Sequence, residues 1–115
     1  MRAMPRYLLI HEVTLCKVFD EDRWGKAILD EGVRIKFVRI EPSKQIIRDK
    51  NNAEIQLSAT LFYDCRNSRP QDAEFSLDDV IYFHGEKYQY QIKSVEPLYD
   101  DGRLHHYEIG LVKKA

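Results

Sequence analysis

The sequence predicts a mainly β fold: a small antiparallel β-barrel or sandwich of about six or seven strands with one long projecting loop. Three observations point that way. From Gln56 to Cys65, Leu57, Ala59, Leu61, Tyr63 and Cys65 face one way and Gln56, Ser58, Thr60 and Asp64 the other, with only Phe62 out of pattern. His84-Gly85-Glu86 and Asp101-Gly102 are turn signals between runs rich in β-branched and aromatic residues, as in consecutive hairpins. No stretch of about 11 or more residues carries a helical period.

Taken in order, residues 1–10 form an N-terminal arm. The first strand is expected over residues 11–18, with Val13 and Leu15 on one face. A polar loop over residues 19–26 holds Trp24, the only tryptophan, which serves either to anchor the loop on the sheet or as an interface residue. Ala27-Ile28-Leu29 is a short strand, and Asp30-Glu31-Gly32 turns the chain into the next. There Val33, Ile35 and Phe37 share a face until the pattern switches sides at Val38 and Ile40, the signature of a β-bulge or a bend. Pro42 ends that strand, having no N–H to give a ladder.

The projecting loop spans residues 43–54 and is longer than an ordinary hairpin connection of about 2 to 5 residues. It carries Lys44, Arg48 and Lys50 against Asp49 and Glu54. Beyond Cys65 a turn-rich connection leads to one short helical turn expected near residues 75–79. Strands follow at residues 80–83 and 87–95, where Glu96-Pro97 interrupts, and at residues 104–112.

The whole, residues 1–115, reads as one domain large enough for a core without metal or disulfide support. A net charge of −1 gives no global reason to bind nucleic acid or an anionic membrane, so any DNA contact must be local. No apolar run is long enough for a signal peptide or a membrane span, from which a cytoplasmic or cytoplasm-assembled protein is expected. Cys16 and Cys65, without CxxC spacing, read as buried thiols.

Catalytic chemistry finds no constellation. His11, His84, His105 and His106 are scattered, and neighbours such as His105 and His106 are expected on opposite faces of a strand, too far apart to share a metal. Asp78-Asp79 and Asp100-Asp101 occupy turn positions suited to local backbone hydrogen bonds. With no Gly-rich phosphate loop and no GxSxG, we assign no catalytic residue, no metal site and no cofactor.

Several segments together carry a resemblance: His11-Glu12-Val13-Thr14-Leu15; Asp22-Arg23-Trp24-Gly25-Lys26; Val38-Arg39-Ile40-Glu41-Pro42-Ser43; Leu61-Phe62-Tyr63-Asp64-Cys65-Arg66-Asn67-Ser68; Phe83-His84-Gly85-Glu86-Lys87-Tyr88; and Leu104-His105-His106-Tyr107-Glu108. In this order they resemble the minor capsid proteins encoded in the structural-gene clusters of phages and prophages of Gram-positive bacteria. More distantly they are similar to head-tail joining, or head-completion, proteins. The resemblance implies a non-enzymatic virion protein that forms a homo-oligomeric ring below the portal, contacts portal or adaptor and tail proteins, and helps retain packaged DNA without base specificity. It further implies that the loop with Lys44, Arg48 and Lys50 reaches into the channel. Asp49 and Glu54 depart from a strongly basic lining and favour steric plugging. A second reading is a monomeric β-barrel module that binds nucleic acid or a protein partner, with Tyr82, Tyr88, Tyr90 and Tyr107 as a stacking platform.

Overall fold

In the computed structural model, which describes residues 4–114, ten strands follow one another. They are β1 (His11–Cys16), β2 (Val18–Glu21), β3 (Ala27–Leu29), β4 (Val33–Pro42), β5 (Ile46–Arg48), β6 (Glu54–Gln56), β7 (Ala59–Asp64), β8 (Val80–Phe83), β9 (Tyr88–Asp100) and β10 (Arg103–Lys113). Six of them pair antiparallel into a closed barrel in the order β1-β4-β7-β10-β9-β8, with β8 returning to β1. The remaining four form two separate hairpins, β2–β3 and β5–β6.

The alternation read from the sequence becomes the barrel interior. Val13 lies opposite Ile35, Ile40 opposite Leu61, Leu61 opposite Ile109, and Leu111 opposite Ile92. Ile35, Leu61, Ile81, Ile92, Ile109 and Leu111 are wholly buried, each contributing about 1.5–3 kcal/mol relative to an exposed side chain. At one end Phe75 caps the core, its ring 5.2 Å from Tyr63 and 6.4 Å from Tyr107. Cys16 is buried and Cys65 half-buried, both as free thiols.

The expected switch of sides in β4 is a bulge at Phe37. His11 pairs with Val38 and Glu12 with Lys36, leaving Phe37 over. Its φ is +58°, a left-handed conformation that a bulky residue seldom adopts. The segment after β7 holds it. Ser68, fully buried, donates its hydroxyl to the Phe37 carbonyl and accepts the Asp64 N–H at 2.9 Å. Lys36 and Arg69 exchange two backbone hydrogen bonds of 2.8 and 3.0 Å. The buried Asp64 carboxylate accepts the Asn67 amide at 2.9 Å, and the same amide reaches the Met4 carbonyl at 2.8 Å, so the arm is fastened too.

Several boundaries differ from the sequence expectation, each for a physical reason. The polar run after β1 conceals β2, which is exposed along Phe19, Asp20 and Glu21, so no apolar alternation marks it. The projecting segment is likewise a hairpin, β5–β6, closed by a turn in which the Asp49 carboxylate accepts the N–H groups of Asn51 and Ala53. Glu96-Pro97 does not end β9. Beyond Gln91, β8 no longer pairs with this strand, so proline forfeits no hydrogen bond on that side. No helical turn forms at residues 75–79, because Asp79 is drawn inward: its carboxylate accepts Lys17 Nζ at 2.7 Å and the N–H groups of Ser76 and Val18. Residues 1–3 of the arm and residue 115 lie outside the described residues.

Replacing Ser68 by alanine leaves the Phe37 carbonyl and the Asp64 N–H without their buried partner, a cost of about 1–3 kcal/mol per orphaned group. Thermal denaturation followed by circular dichroism should show a melting temperature lower by at least about 4 °C; an unchanged melt would mean the bulge is stable without this clamp.

Candidate functional site

The two hairpins are the features that the barrel does not need for its own core. The β2–β3 hairpin joins the end of β1 to the start of β4, and β5–β6 joins the end of β4 to the start of β7, so they leave opposite ends of one strand.

Asp22 builds the tip of the first. Its carboxylate accepts the N–H groups of Trp24 and Lys26, both at 2.9 Å, while Gly25 at φ +79° closes the turn. This presents Trp24 outward, 77% exposed, with the Arg23 guanidinium stacked 4.4 Å from its ring. Anchoring to the barrel is therefore not its role. Phe19, 66% exposed, and the partly exposed Ile28 stand on the same hairpin. Three large apolar side chains are thus exposed on this two-stranded ribbon.

Of the cations on the second hairpin, Arg48 is engaged internally, pairing with Glu54 at 3.0 Å and donating to the Asn52 carbonyl at 2.9 Å. Lys44 and Lys50 are exposed. Below this hairpin Leu57 is buried against Gly110, where an added Cβ would come within 2.9 Å of the leucine. The hairpin tip then faces the barrel across an open cleft of about 550 Å³ whose apolar lining includes Ile55, Phe75, Leu77 and Val95. Leu77 is 57% exposed there. The cleft was not signalled by the sequence, because it depends on where residues 75–78 return.

The other candidates disperse. His105 and His106 do not point to opposite faces: a register shift at this point of β10 brings their Nδ1 atoms to 2.7 Å, and His106 Nε2 lies 3.1 Å from Glu108. Even so, among the described residues no group of three His, Cys, Asp or Glu side chains is placed to hold a metal ion. Asp79 is a buried structural acid, and Asp101 at φ +50° serves the β9–β10 turn. Tyr90 and Tyr107 pack against the core, so the four tyrosines make no common stacking face.

A family model described as minor capsid protein matches residues 5–111, nearly the whole chain. The chain belongs to the minor capsid protein family. Among curated proteins none matches it. A minor capsid protein is a structural component of a virion, and this agrees with a surface whose distinctive features are exposed apolar residues and hairpins. The family segments also acquire physical roles. Asp64, Asn67 and Ser68 form the bulge clamp, and Asp22-Arg23-Trp24-Gly25-Lys26 is the turn that displays the tryptophan.

His11, in the first of those segments, accepts the Ile40 N–H through Nδ1 at 3.0 Å, above the point where β1 ceases to pair with β4, and its ring meets Phe83 edge-on. Burial foremost, then the charges of Arg39 and His84, holds its pKa below the usual 6.5. The unfolded chain therefore takes the proton first as the pH falls. Its contribution is present above pH 6.5 and lost as the pH drops through the lower folded value. Urea unfolding at pH 7.5 and 5.5 should show wild type losing more stability than His11→Asn, which keeps an acceptor but does not titrate; equal losses would remove His11 from the pH response.

Proposed function

We infer that this minor capsid protein is a non-enzymatic connector at the head-tail junction, where copies assemble into a ring below the portal and contact portal or adaptor and tail proteins. The observation that carries the reading is the exposed Trp24 hairpin in a chain of this family. A closed barrel leaves little sheet edge for partners, so contacts must go through elements added to it. The β2–β3 hairpin is such an element, and its tryptophan has the character of an interface hot spot.

Retention of DNA in this ring is chiefly steric. With Arg48 engaged by Glu54, this hairpin offers phosphate chiefly Lys44 and Lys50, and Asp49 lies beside the latter. Summed around a ring these lysines give a sequence-independent contact that weakens with salt. The monomeric binding-module reading loses its main support, because Tyr90 and Tyr107 are packed against the core rather than arrayed for bases.

Deleting the gene from an inducible phage genome should yield heads that have lost their DNA and tails that remain unattached, counted by electron microscopy of the lysate. Full, tailed, infectious particles in normal numbers would rule out the connector role.

A further inference from the structure

The β8–β9 turn and the end of β10 meet beside an open cleft of about 300 Å³ lined by Glu41, Ser58, Phe83, His84, Tyr88 and Tyr90. Two ammonium groups converge there on one ring: Lys87 Nζ lies 5.4 Å and Lys113 Nζ 5.2 Å from the centre of Tyr88. Ser58 draws in the neighbouring backbone. Its carbonyl accepts the Ser43 N–H at 3.1 Å and its hydroxyl the Lys113 N–H at 2.9 Å, so the exposed Lys44 follows beside the end of β10. The exposed Lys114 donates its N–H to the Gln89 carbonyl at 2.9 Å, next to Tyr88. We propose that this surface binds the phosphate backbone of duplex DNA through Lys44, Lys87, Lys113 and Lys114. That the duplex is the packaged genome rests on the connector reading above.

Three observations favour a polyphosphate as the occupant. Among the described residues none of the four lysines is in an ion pair. The acids nearby do not offset them: Glu41 is held by Arg39 at 2.5 Å, and Glu86 lines a separate cleft with Cys16 and Tyr82. In a chain of net charge −1 this is a local gathering of bases, and its attraction for a polyanion is local too. Secondly, Lys87 and Lys113 are drawn to one ring by its quadrupole yet repel each other, and an anion that reaches both relieves the repulsion. Thirdly, a protein partner finds no apolar anchor here. Phe83 and Tyr88 are half-buried and their rings lean on His84, at 4.0 and 6.0 Å between centres, so neither is free to act as a hot spot. Phosphate needs no such anchor, and lysine serves it as a point charge.

The full-length, isotopically labelled protein, titrated at low salt with a duplex of about 20 base pairs, should show amide shifts concentrated at residues 84–90 and 111–114 and around Lys44 and Ser58. The dissociation constant should be on the order of 10⁻⁴ M, as for sequence-independent binding. Fluorescence anisotropy over a salt series then counts the phosphates engaged. Lys87→Gln and Lys113→Gln should each weaken binding equally for duplexes of unrelated sequence and make the slope of log K against log salt shallower by about 1. Lys113→Arg should keep the wild-type slope. Lys26→Gln, on the β2–β3 hairpin, removes the same charge and should leave the slope unchanged, and melting curves check that each variant folds. Shifts centred on the β5–β6 tip around Lys50, a slope indifferent to Lys87 and Lys113, no binding at near-millimolar protein, or tighter binding of a polyglutamate of equal charge would each overturn this surface as a DNA contact. A chain that binds duplex here yet never forms rings, alone or with portal, keeps this contact and overturns the ring instead.

Discussion

The hydrogen bond from the buried Ser68 hydroxyl to the Phe37 carbonyl joins two segments 31 residues apart, and much of the barrel follows from that junction. Without the bulge at Phe37, β4 would continue its first alternation and turn Val38 and Ile40 out of the core. With it, one strand pairs with β1 through residues 33–38 and with β7 through residues 38–42, so β4 serves both neighbours in a barrel of only six strands. A left-handed backbone at a phenylalanine is unfavourable by itself. It persists because Ser68, Asp64 and Arg69 fix the peptide groups around it. The Arg6 guanidinium, 4.6 Å above the Phe37 ring, and the Asn67 bond to Met4 then lay the N-terminal arm across the same place.

The core strands were legible because each buries one face, and one-sided burial writes itself into the sequence as a period of two. Leu57 to Tyr63 and Val13 to Leu15 follow that rule, and the change of side at Val38 was visible for the same reason. What escaped notice is what lacks a buried face: β2, and the pairing within the β5–β6 hairpin, whereas β3 was read as the short strand Ala27-Ile28-Leu29. Both hairpins are held by backbone pairing and by one aspartate each, Asp22 and Asp49, and neither residue distinguishes a tight hairpin turn from any other polar loop. Buried polar groups were equally silent. Ser68 and Asp79 look like surface turn residues and Asp64 was expected on the polar face of its strand, yet all three are buried, with Phe37 and Lys17 brought to Ser68 and Asp79 by the return of distant segments. The adjacency of His105 and His106 was misjudged because a register shift suspends the alternation from which it was read.

For the candidate surface, the decisive residue was visible but its state was not. A lone tryptophan beside a glycine suits both a core anchor and an interface contact, since the ring contributes a large area in either place. The difference lies in the turn geometry. The Asp22 carboxylate gathers the N–H groups of Trp24 and Lys26 around itself and occupies the inside of the turn, which leaves the indole to solvent and to Arg23. The tongue shows the reverse case. Its basic residues suggested a phosphate contact, yet Arg48, though exposed, is paired with Glu54 and bonded to the Asn52 carbonyl, so its charge is offset within the hairpin.

A closed barrel with two hairpins has a consequence for assembly. Closure pairs most of the edges that would otherwise let identical subunits add to one another as strands, which disfavours association by strand addition and leaves it to side-chain contacts. Such a contact is small, and small contacts are individually weak. In the proposed ring every copy makes two of them, and the last subunit to enter closes both at once, with the second contact formed intramolecularly at a high effective concentration. On that reading the chain is monomeric when dilute and tightly held once a portal has gathered its copies. Exposed apolar side chains on a short hairpin suit this regime, since they are too few to drive indiscriminate aggregation and sufficient, repeated around a ring, to hold it closed.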